Sequence, residues 1–498
     1  MTDPQAPQSR RESRAAATTG RVRPATESAS GGASGIGAIF AKHPVAWLAG
    51  ALGLAFLLLA VGALFAGAAS VDRTAADGST TDTSVDAGRA QPTELAAASR
   101  LRTCSVSAIA NDPLLATLSG AVTNAATGEV LFDRASTAPV AQAGITKVLT
   151  ASAAINLLGP DATLSTKVYQ GSTPDTIVLV GGGDPTLTAL ESGESVYSGA
   201  PRLATLADQV SSAYTGGEVE DITTIVLDAS LWSQADKWDA TWPRTAQTGG
   251  TQSEVTALQV DGDRADPTQQ TSPRTTDPVS RAGVLFAEAL GLDPSEVTFT
   301  LGTAVTSKPL LGEVKSQPIN VLVNQMLMQN DNTLAEALAR VISKAAGYGG
   351  TAASIQQAVT SGLAVFGVST AGILIQDGSG LSPATSIPPK FMSDFMAKVL
   401  AGENNLNVIY NSLPIAGKSG GLAQRFSGAS AAAKNQVIAM PGSTAGEYAL
   451  SGVINAADGA QLTFAFYAIG GSLKDSTRGA LDALSTAVFA CGDNLSNN

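Results

Sequence analysis

Histidine is nearly absent from this sequence, and cysteine is scarce. The 498 residues include one histidine, His43, and two cysteines, Cys104 and Cys491. Since no histidine follows position 43, the remaining chain cannot contain a Ser-His-Asp triad or a histidine-rich metal site. We therefore expect neither a metal ion nor a cofactor.

Basic residues are in the minority. The chain has 30 Lys and Arg residues against 42 Asp and Glu residues, a net charge of −12. Six basic and three acidic residues precede position 45, which leaves 24 basic and 39 acidic residues after it, a net charge of −15. This excess of negative charge argues against nucleic acid or an anionic polymer as the main partner.

One long hydrophobic run is present, at residues 45–69, and it is uncharged. Its length of about 25 residues is enough to cross a hydrocarbon core of about 30 Å. Basic residues outnumber acidic ones before the run, so we expect residues 1–44 to be a disordered cytoplasmic tail. A cleaved signal peptide is the alternative, although its apolar region is usually about 7 to 15 residues long and closer to the N-terminus. We expect a single-pass anchor in the cell membrane, a linker at 70–94 and an extracytoplasmic remainder.

The two cysteines lie near the two ends of this extracytoplasmic region. In an oxidising compartment Cys104 and Cys491 can pair, and closing so long a loop would stabilise the fold by about 4 to 5 kcal/mol in the chain-entropy model. Two unpaired thiols are the alternative, and the sequence does not decide between them.

Periodicity and turn residues predict both helices and strands after the linker. Two strands are expected around Ala126-Thr127-Gly128, and a helix from about Gly144 to Leu158 is stopped by Gly159-Pro160. A helical region is expected at residues 319–366. Three strands should follow at 436–440, 448–454 and 462–469, and a closing helix at 476–489.

A long segment separates the predicted helix that contains Lys147 from the helical region that contains Asn330. It comprises about 180 residues, far more than a typical connection of about 4 to 6 residues, so an inserted domain is expected. Alternating apolar residues at 176–180 and 222–227 predict that this domain is partly β.

Several short segments together resemble one enzyme family. They are Gly181-Gly182-Gly183-Asp184-Pro185-Thr186-Leu187, Asp377-Gly378-Ser379-Gly380-Leu381-Ser382 and Leu413-Pro414-Ile415-Ala416-Gly417. In this order and spacing they resemble the D-alanyl-D-alanine carboxypeptidases of the penicillin-binding protein 4 type. These serine peptidases trim peptidoglycan stem peptides and carry Ser-x-x-Lys, Ser-x-Asn and Lys-Thr-Gly motifs.

The resemblance covers most of the chain after Asn111 and implies a fold. That fold is α/β (α+β): a penicillin-binding transpeptidase, or β-lactamase-like, domain with an inserted, partly β accessory domain. We expect the transpeptidase-like domain at residues 95–170 and 316–493 and the accessory domain at 171–315.

The first motif has lost its nucleophile. Lys147 is present, but Gly144 stands three residues before it, where the family has serine. Thr146 points about 100° away from Lys147 around a helix, and Thr150 lies one turn too far along, so neither is a convincing substitute. Lys147 either retains a residual role or is a charge satisfied by local carbonyl groups.

The second motif is also altered. Asn330 occupies the position of the serine that relays protons to the leaving amine, and an amide cannot exchange protons in that way. Asn332 is retained, and it either binds a substrate amide or makes a helix-capping or core hydrogen bond.

The third motif reads Met440-Pro441-Gly442-Ser443 instead of Lys-Thr-Gly followed by Ser or Thr. The groups that hold the substrate's terminal carboxylate in the family are therefore missing. Backbone amides at Gly144 and Ser443, where the family forms its oxyanion hole, remain. Lys418-Ser419-Gly420 imitates the motif but lies in a predicted loop, and Asp377 to Ser382 is expected to be a structural turn.

These substitutions predict a membrane-anchored, catalytically inactive homologue that binds a peptidoglycan stem peptide or a cell-wall protein. An active D-alanyl-D-alanine carboxypeptidase or endopeptidase with non-standard motifs is the main alternative. An unrelated surface scaffold is a second alternative, but it leaves the ordered motifs unexplained.

Overall fold

The computed structural model describes residues 101–471 and 473–497. The predicted tail at 1–44, membrane helix at 45–69 and linker at 70–94 lie outside these residues. Among the helices at 101–471 and 473–497, none is long and apolar enough to cross a membrane. The membrane anchor therefore stays a prediction.

The described residues combine short and long strands. In chain order the strands are β1 (Cys104–Ser105), β2 (Thr117–Asn124), β3 (Val130–Arg134), β4 (Val140–Ala141), β5 (Ser165–Gln170), β6 (Thr176–Val180), β7 (Thr224–Asp228), β8 (Thr298–Leu301), β9 (Leu310–Lys315), β10 (Ser386–Ile387), β11 (Val437–Thr444), β12 (Glu447–Asn455), β13 (Gln461–Ile469) and β14 (Leu495–Ser496).

Helices connect most of these strands. They are α1 (Ser107–Ala110), α2 (Thr146–Leu158), α3 (Leu203–Ala213), α4 (Thr245–Thr248), α5 (Pro278–Ala289), α6 (Ile319–Gln329), α7 (Asn332–Ala345), α8 (Ile355–Leu363), α9 (Pro389–Ala401), α10 (Asn407–Ser412) and α11 (Ser476–Cys491).

The main domain is built on an antiparallel sheet in which β12 lies between β11 and β13, and β2 packs alongside β13. Successive residues of a strand point to opposite faces. Along β12, Ala449 and Val453 join the core formed with helices α2, α6, α7, α8 and α9. Leu450 and Ile454 join the core formed with α11. Because both faces are buried, β12 reads as an almost uninterrupted apolar run rather than an alternating one.

Helix α2 runs through the centre of the helical layer. Its residues from Thr146 to Ile155 are all buried, so it packs on every side rather than along one stripe. It ends at Gly159, whose φ of +87° is in the left-handed region, directly before Pro160. The predicted stop is confirmed, whereas the helix begins two residues later than the predicted Gly144.

The inserted region contains its own sheet, with strand order β8-β7-β6-β5-β9. Strands β6, β7 and β8 are parallel neighbours, and β5 is antiparallel to both β6 and β9. Helices α3 and α5 pack on this sheet, so the inserted region is a mixed α/β unit. The sheet begins with β5 at Ser165, before the expected boundary at residue 171.

The segment between β7 and α5 leaves this sheet and packs against the main domain. The indole Nε1 of Trp242 donates to Asp377 at 2.7 Å, and Arg264 forms an ion pair with Asp331 at 2.6 Å. The inserted residues therefore also form one wall of a cavity in the main domain, which is described below.

A disulfide joins Cys104 to Cys491, which are 387 positions apart in sequence and whose Cα atoms are 5.5 Å apart. Next to it, β1 pairs with β14 in parallel. The two ends of the described fold are therefore tied both covalently and through backbone hydrogen bonds.

Strand β11 extends to Thr444 and so runs through Pro441, beyond the predicted end at Met440. Ala439 donates its N–H to Pro414 on the side away from β12. Backbone donors along a strand alternate between its two sides, so the missing N–H of Pro441 also belongs to the side away from β12. Proline is tolerated here because the pairing with β12 loses no donor.

Candidate active site

Five parts of the chain meet at a cavity of about 260 Å³. They are the loop before α2, the turn between α6 and α7, the turn at residues 377–382, the end of β11 and the inserted segment before α5. The residues that line the cavity are Ala143, Gly144, Lys147, Thr251, Arg264, Gln270, Thr271, Arg274, Gln329, Asn330, Asp331, Asn332, Gly380, Leu381, Ser443 and Thr444. Residues from all three predicted motif positions therefore converge on one cavity.

Gly144 lies outside helix α2, which begins at Thr146. Its φ is +95°, and that of Ala143 is +51°, a backbone region that L side chains rarely adopt. A Cβ atom added to Gly144 would lie 3.2 Å from Lys147 Nζ and 3.4 Å from the carbonyl oxygen of Ser379. The position faces the lysine as the family motif requires, but its backbone conformation suits glycine.

The loop that contains Gly144 is held from two sides. The side-chain oxygen of Gln142 accepts a hydrogen bond from the N–H of Thr146 at 2.8 Å, at the start of α2. On the other side, a Cβ atom at Gly442 would come within 1.9 Å of the carbonyl oxygen of Ala143. Glycine at 442 therefore allows β11 to pack directly against this loop.

Lys147 is buried, and its ammonium group donates to the carbonyl oxygen of Ser379 at 2.9 Å. Burial lowers the pKa of Lys147 to about 8, although the nearby carboxyl groups of Asp377 and Glu336 oppose this change. A carbonyl group does satisfy the lysine, as one interpretation expected, but it is 232 residues away in sequence rather than local.

The turn at residues 377–382 is held by two buried carboxyl groups. Asp377 accepts hydrogen bonds from the N–H groups of Gly380 at 2.8 Å and Ser382 at 2.7 Å. Glu336 on α7 accepts from the N–H of Ser379 at 2.7 Å. Burial and the neighbouring Asp377 raise the pKa of Glu336 to about 7. The turn is structural, and Glu336 is a residue that the motif analysis missed.

Three hydroxyl groups are not available to a ligand: two belong to residues close to Lys147 in sequence, and the third belongs to Ser379, whose carbonyl group accepts from Lys147. Thr146 and Thr150 are fully buried, and the Thr150 hydroxyl donates to the carbonyl of Gly378 at 2.7 Å. Ser379 is also fully buried, and its hydroxyl accepts from the N–H of Leu381. These three residues are absent from the cavity lining given above.

The second motif spans the turn between two helices. Asn330 ends α6 with φ +53° and ψ +43°, a left-handed conformation that asparagine tolerates well. The side chain of Asp331 caps α7 by accepting from the N–H of Leu334 at 2.9 Å. The cap is therefore Asp331 and not Asn332, which lies half-buried in the cavity wall.

Asp331 also anchors the inserted segment. It accepts from Arg264 Nη2 at 2.6 Å and from the hydroxyl of Tyr197 at 2.9 Å, in a fully buried setting. Burial alone would raise the pKa of this carboxyl group, but Arg264 and Arg274 outweigh burial and hold it at about 2. Asp331 is therefore ionised and binds the inserted segment to α7.

The third motif no longer presents its first two side chains to the cavity. Met440 is fully buried in the core around α2, and it is not a lining residue. Pro441 is buried beneath Gly421, where an added Cβ atom would lie 2.9 Å from Pro441 Cγ. Ser443 does reach the cavity, and its hydroxyl lies 3.4 Å from Arg478 Nη2.

Lys418-Ser419-Gly420 lies in the loop before β11, as predicted. Lys418 is exposed and is not among the residues that line the cavity. Five lining residues come from the inserted segment, and none belongs to a motif that the sequence analysis recognised: Thr251, Arg264, Gln270, Thr271 and Arg274.

Comparison with known proteins places these features in a family. The model of the D-Ala-D-Ala carboxypeptidase 3 (S13) family matches residues 103–272 and 243–488. Carboxypeptidase DacB of Mycolicibacterium smegmatis is 33% identical over 454 residues, which cover 89% of this chain and 95% of that protein. A carboxypeptidase of Mycobacterium tuberculosis is 34% identical over 400 residues, which cover 78% and 84% of the two chains.

Among solved structures, penicillin binding protein 4 of Haemophilus influenzae is similar in fold. It has a TM-score of 0.62 and 20% sequence identity, and the match covers 75% of this chain and 95% of that one. The mixed α/β fold is therefore that of a penicillin-binding protein.

Proposed function

The chain belongs to the D-Ala-D-Ala carboxypeptidase 3 (S13) family, and from this premise we propose that it binds peptidoglycan peptides without cleaving them. The observation that carries the proposal is Gly144. It faces the ammonium group of Lys147, where the nucleophile belongs, and supplies no hydroxyl. Without a hydroxyl at this position, the family's nucleophile is absent and its acyl-enzyme cannot form there.

The main alternative is an active carboxypeptidase or endopeptidase of the same family with non-standard motifs. The relatives named above are called carboxypeptidases, which keeps this alternative worth testing. The burial of Thr146, Thr150 and Ser379 argues against it, because none of these hydroxyl groups reaches the cavity. An unrelated surface scaffold is no longer an alternative, since the family match spans most of the chain.

The cavity keeps the features that binding needs. Amide side chains of Gln270, Gln329 and Asn332 line it, together with the exposed end of β11 at Ser443. Such groups can donate to and accept from peptide bonds. The cavity volume of about 260 Å³ is near the lower end of the usual range for ligand pockets, about 300 to 1,000 Å³. A short peptide segment is therefore a suitable ligand.

Binding can be tested with the full-length protein and a peptidoglycan stem pentapeptide. We expect saturable binding by calorimetry, and a weakening of about fivefold to tenfold in Asn332→Leu, which keeps the side-chain size but loses the amide. Asn411→Leu is the matched control, since Asn411 is exposed on α10 and does not line the cavity. Absence of binding by the unaltered protein, or equal losses in both variants, would contradict the proposal.

We also propose that residues 45–69 anchor the protein in the cell membrane with the folded region outside. The proposal rests on the uncharged apolar run and on the basic residues that precede it. Protease added to intact spheroplasts should then digest the region after residue 100 and spare residues 1–44. A protected C-terminal region, or release of the protein without detergent, would overturn the assignment.

A further inference from the structure

The cavity carries more positive than negative charge. Lys147, Arg264 and Arg274 line it, whereas Asp331 is the one carboxylate among its lining residues. The chain as a whole has a net charge of −12. This local excess of cations is therefore a property of the cavity and does not reflect the general composition.

Two of the three cations are balanced by the protein itself. Arg264 forms an ion pair with Asp331 at 2.6 Å. Lys147 donates to the carbonyl of Ser379, and the carboxyl groups of Asp377 and Glu336 lie close enough to influence its charge. Neither cation needs an added anion.

Arg274 is different, because it has no carboxylate partner within ion-pair distance in the part of the chain that the structure describes. Its side chain is buried, with 7% of the residue exposed, and it donates only to backbone carbonyl groups: those of Ser272 at 2.9 Å, Gly250 at 3.1 Å and Gly262. Burial and repulsion from Arg264 lower its pKa to about 10, although the nearby carboxyl groups of Asp331 and Asp263, which do not form an ion pair with it, oppose this change. A buried charge without a counterion is costly.

The guanidinium group of Arg274 also has donors to spare. It has five N–H bonds, and the three backbone carbonyl groups account for one each on Nε, Nη1 and Nη2. One N–H bond remains on each terminal nitrogen. Both remaining N–H bonds can donate to the oxygens of a carboxylate. The backbone at Gly250, Gly262 and Ser272 meanwhile holds the group in place at the cavity.

We propose that Arg274 forms a carboxylate-binding subsite of the cavity, supplied by the inserted segment rather than by β11. A short peptide with a free carboxylate would bind there and neutralise Arg274. The subsite takes over a task that the third motif has lost, because Met440 is buried in the core and Pro441 has no charge. The identity of the ligand as a cell-wall peptide rests on the proposed function, whereas the carboxylate chemistry does not.

The test uses small probes and the full-length protein at low ionic strength. The probes are N-acetyl-D-alanyl-D-alanine, its C-terminal amide and inorganic phosphate, with binding measured by ligand-observed NMR. We expect the free acid to bind at least about tenfold more tightly than the amide, because only the acid can form charge-assisted hydrogen bonds with Arg274. Equal affinity for acid and amide, or no binding of the acid, overturns the proposal. Tighter binding of phosphate than of the acid overturns the choice of a carboxylate.

Variants then locate the contact. Arg274→Gln should remove the preference for the acid, and Arg274→Lys should restore only part of it. Because Arg274 also supports the backbone, a second pair at the exposed cavity residue Thr271 avoids the core. Thr271→Asp should weaken binding of the acid more than binding of the amide. Thr271→Asn is nearly isosteric with the aspartate variant, so the difference between the two variants reports the added negative charge and not the change of side-chain size.

Two further variants separate this subsite from general charge effects. Lys418→Gln removes one positive charge outside the cavity and should have no effect on binding. Arg478→Gln removes the arginine next to Ser443, and a loss of the acid preference there instead of at Arg274 overturns the proposal. Stem-peptide binding that ignores the terminal carboxylate would leave the proposed function standing while this inference fails.

Discussion

Full-length protein incubated with a fluorescent penicillin is expected to form no covalent adduct and to release no D-alanine from a stem pentapeptide. The reason is the missing hydroxyl at Gly144, together with the burial of Thr146, Thr150 and Ser379. Loss of the nucleophile from a coupled serine site lowers the rate by about 10⁶, and here the other two motifs are altered as well. Intact-mass spectra and an assay for D-alanine measure the two outcomes.

An active family member treated in parallel shows that the probe and the substrate are competent. Stoichiometric acylation of this protein, mapped by peptide analysis to any residue that lines the cavity, would contradict the prediction. Lys147→Met then decides whether such an adduct depends on the retained lysine. Acylation that persists in this variant would point to a non-specific reaction rather than to a rearranged active site.

Gly144→Ser is expected to leave the protein without measurable peptidase activity, at least about 10⁴-fold below an active relative. The sequence alone predicts slow acylation for this variant, because it restores Ser-x-x-Lys. The structure weakens that expectation, and the sequence itself already argues against efficient peptide cleavage. Residue 144 has a φ of +95°, so serine there costs on the order of 1 to 2 kcal/mol. Asn330 and Met440 still supply neither a proton relay nor a carboxylate-binding lysine.

The matched control is Gly144→Ala, which carries the same backbone strain without the hydroxyl. Denaturant unfolding should show similar destabilisation of the two variants, and any acylation seen only with serine reports the hydroxyl itself. Turnover by Gly144→Ser that equals an active relative would show that the second and third motifs have been misread.

A combined variant that adds Asn330→Ser, Met440→Lys and Pro441→Thr restores all three motifs in sequence but should not simply restore activity. Met440 is fully buried among apolar side chains. A lysine there would bring a charge into a buried position, and an unpaired buried charge costs several kcal/mol. If the protein is inactive as proposed, the packing around Met440 therefore contributes to the loss of activity together with the four altered side chains.

The sequence determined the features that depend on residue type or on short-range pattern. Whether a hydroxyl stands three residues before Lys147 is a matter of covalent chemistry, so the loss of the nucleophile is visible without coordinates. The end of α2 at Gly159 and the three C-terminal strands follow from local turn chemistry and periodicity. The order of the motifs indicated the family, and the spacing between them required an insertion.

Only the tertiary structure decided what surrounds the cavity. Arg264 meets Asp331 across 67 residues, and Lys147 meets Ser379 across 232. Such contacts depend on how distant elements pack, and no local periodicity encodes them. The same holds for the burial of Met440 and for the lack of an ion pair at Arg274 among residues 101–471 and 473–497, since burial and pairing depend on a residue's neighbours. The left-handed backbone conformation of Gly144 also depends on tertiary packing, because β11 and the turn at 377–382 pack against the loop that contains it.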